Sequence, residues 1–183
     1  GPIRGEVWFN ELRMSEMDNK GGYAAVANLD TNLADFATFS ATGRISTIGF
    51  GALEEGPNER SREDVKQYDI VSNFNVGQLL PKKWKINVPF NYAVGEQIIT
   101  PKYDPLYQDL ELKDVLAAES NQDKKDEIEN RAIDYTKRTS VNFIGVKKDR
   151  AEKQKQRFYD VENVTLSYSF NEMLHHDFQV QSL

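Results

Sequence analysis

The sequence predicts a mainly β protein, an antiparallel transmembrane β-barrel segment with long loops, one of which carries short helices. Apolar and polar residues alternate with a period of two along most of the chain. One of the two faces this creates is apolar and contains many small residues, while the other is rich in Asn, Thr and Ser. The longest unbroken apolar run, Tyr23–Ala27, is far shorter than the about 20 residues that a spanning helix requires.

Composition excludes several classes of function. The 183 residues include 23 Lys and Arg and 29 Asp and Glu, for a net charge of −6. Nucleic acid is therefore not an expected partner, because its binding needs a basic footprint. There is no cysteine, which excludes disulfides, Cys-ligated zinc and thiol catalysis. The chain starts without Met or an apolar signal segment, so we expect a piece of a longer protein.

The first two strands form a predicted hairpin. Alternation runs from Tyr23 to Leu33, breaks at Leu33–Phe36 and resumes at Ala37–Ser46, which indicates a tight turn. In a barrel wall the apolar residues Tyr23, Leu29 and Phe39 would face lipid. The polar residues of the hairpin would face the lumen, and these are Asn28, Asp30, Asn32, Thr38, Ser40, Thr42 and Arg44.

Further strands are predicted at 68–76, 84–95, 139–145 and 164–171, and residues 177–183 have the pattern of a strand start. Pro89 cannot donate a ladder hydrogen bond and predicts a local gap or bulge. The predicted lumen-facing residues of these strands are Asn73, Asn75, Lys85, Asn87 and Asn91. The predicted lipid-facing residues are Trp84, Ile86, Val88, Phe90, Tyr92, Leu166 and Tyr168.

Three long connections separate the strands, at 49–66, 98–137 and 147–157. The second is the helical loop of the fold prediction. Leu112, Val115 and Leu116 have the spacing of one helix face, and the spacing of a second is given by Ile128, Ala132 and Tyr135. Glu127 and Arg131 have the spacing of a helical ion pair.

The strand pattern leaves alternatives open, because a soluble sheet with an apolar core shows the same alternation. The alternatives are a small-molecule porin or transporter barrel and a soluble β-sandwich binding module. Two observations favour a membrane wall over the soluble alternative. Small residues such as Ala25, Ala37 and Gly43 would fill a dense core poorly. The hairpin strands also exceed the usual 5–6 residues of a small soluble sheet.

No catalytic or metal constellation is predicted, and we expect no cofactor and no enzymatic activity. The only histidines, His175 and His176, are adjacent, so on a strand they would point to opposite faces. A turn at a barrel rim suits this pair better than a metal site, although Asp177 would share a face with His175. The acidic residues cluster in loops, where water would surround them. A catalytic pair of carboxyl groups instead needs an environment that moves its two pKa values apart.

The start of the chain is predicted to be distinct from the wall. The strand Glu6–Met14 does not alternate cleanly, since Trp8 and Phe9 are neighbours. It has the character of a closing strand of a preceding sandwich-like, jelly-roll-like region. We therefore divide the chain into residues 1–14, which would belong to that region, and residues 15–183, which would form the barrel wall with the helical loop at 98–137.

An ordered set of short motifs carries a family resemblance. The motifs are Val7–Arg13, Lys20–Ala25, Leu33–Ala37, Gly49–Glu54, Glu59–Asp64, Gln67–Asp69, Lys102–Leu106 and Phe158–Asn163. With them the chain resembles an internal segment of the SprA/Sov family, the outer-membrane translocon of the type IX secretion system. Members of that family are many times longer than this chain.

The resemblance implies a very large single-chain barrel in the bacterial outer membrane that exports folded cargo proteins, including gliding adhesins. The partners it implies are a smaller PorV-like outer-membrane barrel, a periplasmic plug protein, the secreted cargo and outer-membrane lipid. It implies a passive, architectural role for this segment.

Overall fold

A computed structural model of the chain describes residues 5, 20–56, 58–149 and 164–180. These residues form seven strands and two short α-helices. In chain order the elements are β1 (Ala24–Leu33), β2 (Ala37–Ser46), β3 (Glu63–Asn75), β4 (Ile86–Asn87), β5 (Pro89–Pro101), α1 (Leu112–Ala118), α2 (Gln122–Ala132), β6 (Asp134–Lys148) and β7 (Thr165–His176).

The strands make one antiparallel sheet in which the six long strands lie side by side in chain order. The order is β1, β2, β3, β5, β6 and β7, and the two residues of β4 pair with β6 in line with β5. Within the described residues β1 and β7 do not pair with each other, so the sheet is open. The predicted antiparallel, mainly β architecture is confirmed, with two helices in one connection.

The sheet is a single layer without a core of its own. Among the described residues the only buried apolar side chains are Ala37, Leu112 and Ala132, and two of these belong to the helices. Large apolar side chains stand exposed on the strands, including Leu29, Leu166 and Tyr168. A soluble antiparallel sheet normally buries one face, and nothing in the described part of the chain covers either face of this one.

Backbone conformation explains the turns that the pattern predicts. The β1–β2 hairpin closes as predicted through Ala34, which has φ of 48°, and Phe36 donates its amide to the carbonyl of Leu33 at 3.1 Å. A β-bulge lies between Phe143 and Val146 on β6. Gly145 within it has φ of 77°, a value that side chains disfavour.

The predicted continuous strand from Trp84 to Gly95 is wrong at its start. Lys82–Trp84 forms a 3-10 turn in which Trp84 donates to the carbonyl of Pro81, and Lys85 is left-handed with φ of 48°. The ladder is interrupted at Val88, next to Pro89, where a gap or bulge was predicted, and the structure has a gap. Val88 instead accepts a hydrogen bond from the Val76 amide. Trp84 and Lys85 therefore lie off the strands.

Several predicted boundaries also need correction. β3 and β6 begin earlier than predicted and β5 ends later, so the helical connection spans 102–133 rather than 98–137. Tyr135, predicted on a helix face, lies on β6. β7 continues through the turn predicted around the two histidines, to His176, and residues 177–180 are not a strand.

Some predictions concern residues that the structure does not describe. The strand at Glu6–Met14, most of the basic connection at 147–157 and residues 181–183 lie outside the described residues. In the described part of the chain, no helix has the length and apolarity needed to cross a membrane.

Candidate functional site

The candidate functional site is the sheet itself, because its two faces differ in chemistry on all six of the long strands. In an antiparallel sheet, paired residues lie on the same face. The face that carries Asn73 and Asn91 is called the polar face, and the face that carries Phe74 and Phe90 is the apolar face. Their registers extend both faces from β1 to β7.

The predicted lumen-facing residues come together on the polar face. Cross-strand pairs place these residues there: Asn28, Asp30, Asn32, Thr38, Ser40, Thr42, Arg44, Asn73, Asn75 and Asn91. Asn87 pairs with Lys147 across from β4. Lys85 is the exception, because it lies in the turn before β4.

Most of the predicted lipid-facing residues share the apolar face. The registers place Leu29, Phe39, Ile86, Phe90, Tyr92, Leu166 and Tyr168 on it. Tyr23 lies just before β1, where its amide donates to the Thr47 hydroxyl at 2.8 Å. Val88 lies in the gap before β5, and Trp84 lies in the 3-10 turn, away from the face.

A hydrogen-bonded belt of amides and hydroxyls crosses the polar face from β2 to β7. The side-chain amide of Asn73 donates to the Thr38 hydroxyl at 3.2 Å, and the side-chain amide of Asn91 donates to the Asn73 side-chain oxygen at 2.7 Å. Asn142 on β6 donates to Asn91 at 3.1 Å and accepts from Ser169 on β7. The belt closes with Ser140 donating to Asn171 at 2.6 Å and Asn171 donating to Ser169 at 3.2 Å.

An aromatic row lies directly behind this belt on the apolar face. It consists of Phe74, Phe90, Phe143 and Tyr168, which are direct register partners across four strands. The ring centroids of Phe74 and Phe90 are 5.8 Å apart, and those of Phe90 and Phe143 are 4.8 Å apart. Phe39 on β2 adds an edge-on contact to Phe74 at 5.3 Å. Such contacts add stability beyond area burial.

Several members of the belt and the row are not among the residues predicted to face the lumen or lipid. Asn142, Ser140 and Phe143 lie on β6, whose alternation is weak, and Ser169 and Asn171 lie on β7. The signal was present, because Ser140 and Asn142 alternate with Val141 and Phe143. Only the register shows that these side chains meet those of β5.

Gly95 shapes the centre of the polar face. It pairs with Asp69 on β3 and with Arg138 on β6. A Cβ atom at Gly95 would overlap the Asp69 carboxylate, which lies over the glycine and accepts a hydrogen bond from Gln67 at 2.9 Å. Beside it opens a shallow recess of about 380 Å³, lined by Ala93, Arg138 and neighbours from β7.

The two histidines point to opposite faces, as their adjacency on a strand requires. His175 lies 2.9 Å from the Thr136 hydroxyl on the polar face, and His176 stacks on Tyr135 with ring centroids 5.2 Å apart. The expected partner Asp177 lies 3.4 Å from His175, and Asp134 lies 3.6 Å from it. Backbone amides of Val180 and Gln179 lower the pKa of Asp177.

Acidic and imidazole groups elsewhere do not converge. Across residues 20–56, 58–149 and 164–180, no three His, Asp or Glu side chains are grouped so that they could hold a metal ion.

The predicted helical ion pair between Glu127 and Arg131 is replaced by another contact. Arg131 lies 3.6 Å from Asp104, which is 1 % exposed and holds the start of the helical connection together.

Comparison with known proteins places the chain in a family. No curated protein matches it. The family model for SprA_N, described as motility related/secretion protein, matches residues 1–116, which include β1 to β5 and the start of α1. Because this match covers more than half of the sequence, the chain belongs to the SprA_N family of motility-related secretion proteins.

Proposed function

We propose that this chain forms part of the wall of a large outer-membrane channel that exports folded proteins in type IX secretion. The polar face lines the water-filled lumen and the apolar face contacts lipid. The chain is an internal segment of a longer barrel, whose other strands continue the sheet at β1 and β7. Its role is architectural rather than enzymatic.

One observation carries the proposal: the sheet is a single layer that leaves a continuous apolar face exposed. Exposed apolar surface of this extent needs a partner, and a soluble sandwich would supply it from a second sheet. A barrel wall needs no second sheet, because lipid covers the apolar face and water the polar one. The family supports a role in secretion.

The two rows of side chains agree with this assignment. The aromatic row adds large apolar side chains to the face that would contact lipid. The belt of Asn, Ser and Thr offers neutral donors and acceptors to water and carries no net charge. A wall of this kind suits passage of many different folded proteins, because it provides few sites at which a cargo would be held.

The partners of the assembly are part of the proposal and derive from the family resemblance. They are a smaller PorV-like outer-membrane barrel, a periplasmic plug protein and the exported cargo. A small-molecule porin would share the two-faced wall but close over a narrower lumen.

The experiment compares neighbouring positions of β5 in the intact protein. Single cysteines replace Phe90 or Asn91, and a membrane-impermeant and a lipid-soluble thiol reagent are applied in turn. Position 91 is expected to react with the impermeant reagent, and position 90 only with the lipid-soluble one. Positions 74 and 73 on β3 form a matched second pair. Protection of position 91 together with free aqueous labelling of position 90 overturns the proposal.

A further inference from the structure

The apolar face has a charged border that runs obliquely across the strands. Moving along each strand from the aromatic row, towards the end where β6 begins, all side chains on this face are uncharged until one charged residue is reached. These first charged residues are Lys66 on β3, Glu96 on β5, Lys137 on β6 and Glu172 on β7. We call them the charged line.

The charged line is not parallel to the aromatic row. Lys66 lies eight residues from Phe74, and Glu172 lies four residues from Tyr168. On β5 and β6 the separation is six residues, for Glu96 from Phe90 and for Lys137 from Phe143. Because the four aromatic residues are register partners, these counts are measured from a common row. The uncharged stretch therefore shortens from eight residues on β3 to four on β7, with β5 and β6 between them.

The slope of the line has a simple geometric meaning. A change of four residues corresponds to about 13 Å along the strands, and three strand spacings correspond to about 14 Å across them. The line thus crosses the sheet at about 40° to the row of register partners. Strands of outer-membrane barrels tilt by about 35–45° from the membrane normal, so a plane parallel to the membrane crosses them at this slope.

The opposite side of the apolar face is inclined in the same direction. Past Tyr168 the apolar character continues to Leu166 on β7 and to Val164 just before the strand, and both side chains are exposed. On β1 and β2 the face ends at the level of the row, where Leu33 pairs with Ala37 beside the turn. Both borders thus shift together, as expected for an apolar band of constant height on tilted strands.

We infer that the charged line lies in the lipid headgroup layer and marks where the wall leaves the hydrocarbon. This inference rests on the proposed function and adds the depth and tilt of the strands. The ammonium groups of Lys66 and Lys137 are placed to contact headgroup phosphates. β1 and β2 carry no charged residue on this face, and Tyr23, which lies just before β1, continues the line there.

Glu172 is the residue that the inference explains best. Its register row contains Thr139, Val94 and Ile70, so a border perpendicular to the strands would place its carboxylate at the depth of Ile70. Glu172 has no ion pair within the described part of the chain. On tilted strands Glu172 reaches the headgroups while Ile70, at the same level along the sheet, remains in hydrocarbon.

The test compares these two positions in the intact protein, reconstituted in phospholipid nanodiscs that leave both membrane sides open. Single cysteines replace Ile70 or Glu172, and labelling rates are measured with a membrane-impermeant maleimide. A cysteine at the loop residue Leu53, which is 99 % exposed, gives the fully accessible rate. A cysteine at Val94, in the same register row, serves as a second position that is expected to lie in hydrocarbon. Labelling at 172 is expected to be at least about ten times faster than at 70 and 94, since a border between them separates water from hydrocarbon.

The outcomes separate this inference from the proposed function. Slow labelling at both 70 and 172, with fast labelling at 91, leaves the channel wall intact and overturns the inclined border. Faster labelling at 70 than at 172 overturns it as well. If 70, 94 and 172 all react as fast as 53, the apolar face meets water, and the proposed function is lost with the inference.

Discussion

Asn91 donates a hydrogen bond to Asn73 across the sheet, while the residues beside them, Phe90 and Phe74, pack ring against ring on the opposite side. The two contacts share the same pair of strands and the same register. A single register thus places the hydrogen-bonded belt and the aromatic row back to back on opposite faces of the sheet. A slip of one residue would exchange them, so the pairing is strongly specified.

The belt predicts an unequal response of two asparagines on the polar face. Asn91→Leu removes a donor to Asn73 and an acceptor for Asn142, and should lower the free energy of unfolding by about 1 kcal/mol. Asn28→Leu is the control, because Asn28 makes no side-chain hydrogen bond within the described residues. Thermal unfolding of the purified intact protein measures both. Equal effects would show that the belt contributes nothing beyond strand pairing.

The hairpin of β1 and β2 was predictable almost to the residue, because its alternation and its break are both local. The stretch from Trp84 to Val88 was not. Alternation continues there unchanged, but the left-handed backbone at Lys85 leaves no trace in a hydropathy pattern. The prediction of a gap or bulge at Pro89 succeeded because its cause is local, since proline lacks the amide that a ladder needs.

Strand ends and the belt depended on information outside each segment. The run Glu63–Gln67 has the composition of a loop, yet it pairs with β5. The backbone hydrogen bonds that join the two strands form whether or not the exposed side chains are charged. Asn142 resembles any polar strand residue until the register brings it to Asn91. The two chemical faces could be predicted from the sequence, whereas the lateral network across them could not.

Two glycines on strands should differ in their tolerance of a methyl group. At Gly43 an added Cβ meets nothing within 4 Å, so Gly43→Ala should be neutral or stabilising by up to about 1 kcal/mol. At Gly95 the Cβ overlaps the Asp69 carboxylate, so Gly95→Ala must displace it and break its bond from Gln67. We expect Gly95→Ala to be the less stable by about 1 kcal/mol.

A double-mutant cycle identifies the cause of that difference. Adding Asp69→Ala to Gly95→Ala should recover most of the loss, whereas adding it to Gly43→Ala should recover nothing. Denaturant unfolding of the intact wild-type protein, the three single variants and the two double variants gives the six free energies that the two cycles need. A loss at Gly95 that persists without the Asp69 side chain would place its origin in the backbone.

Asp104 is expected to control the order of the helical connection. Its carboxylate accepts hydrogen bonds from the amides of Leu106 at 2.7 Å and Tyr107 at 3.3 Å, and it faces Arg131 at 3.6 Å. Asp104→Ala should reduce the local protection of residues 102–133 by about 2 kcal/mol. Asp104→Asn keeps an acceptor for the two amides and should cost less. Hydrogen exchange by mass spectrometry reports both.

The exchange experiment contains its own reference. β1 and β2 make no contact with Asp104 among the hydrogen bonds and ion pairs described, so their protection should stay unchanged in both variants. Loss of protection throughout the sheet would instead assign Asp104 to global stability. Equal losses for Asp104→Ala and Asp104→Asn would show that the charge facing Arg131, rather than the two amide bonds, dominates.

The turn after β7 should open only in acid. The Asp177 carboxylate accepts from the amides of Val180 at 2.6 Å and Gln179 at 2.7 Å, and these bonds, with a smaller contribution from His175, hold its pKa below the ordinary value of 3.8. A lowered pKa means that this contribution is fully present above pH 3.8 and is lost as the pH falls through the folded value. Hydrogen exchange at 179 and 180, corrected for intrinsic rates, should therefore be constant from neutral pH down to about 4 and accelerate below it. Asp177→Asn retains an uncharged acceptor and should remove the acid step, while Asp177→Ala should leave the turn open at every pH. An acid step of the same size in Asp177→Asn would transfer the titration to another group and refute the assignment.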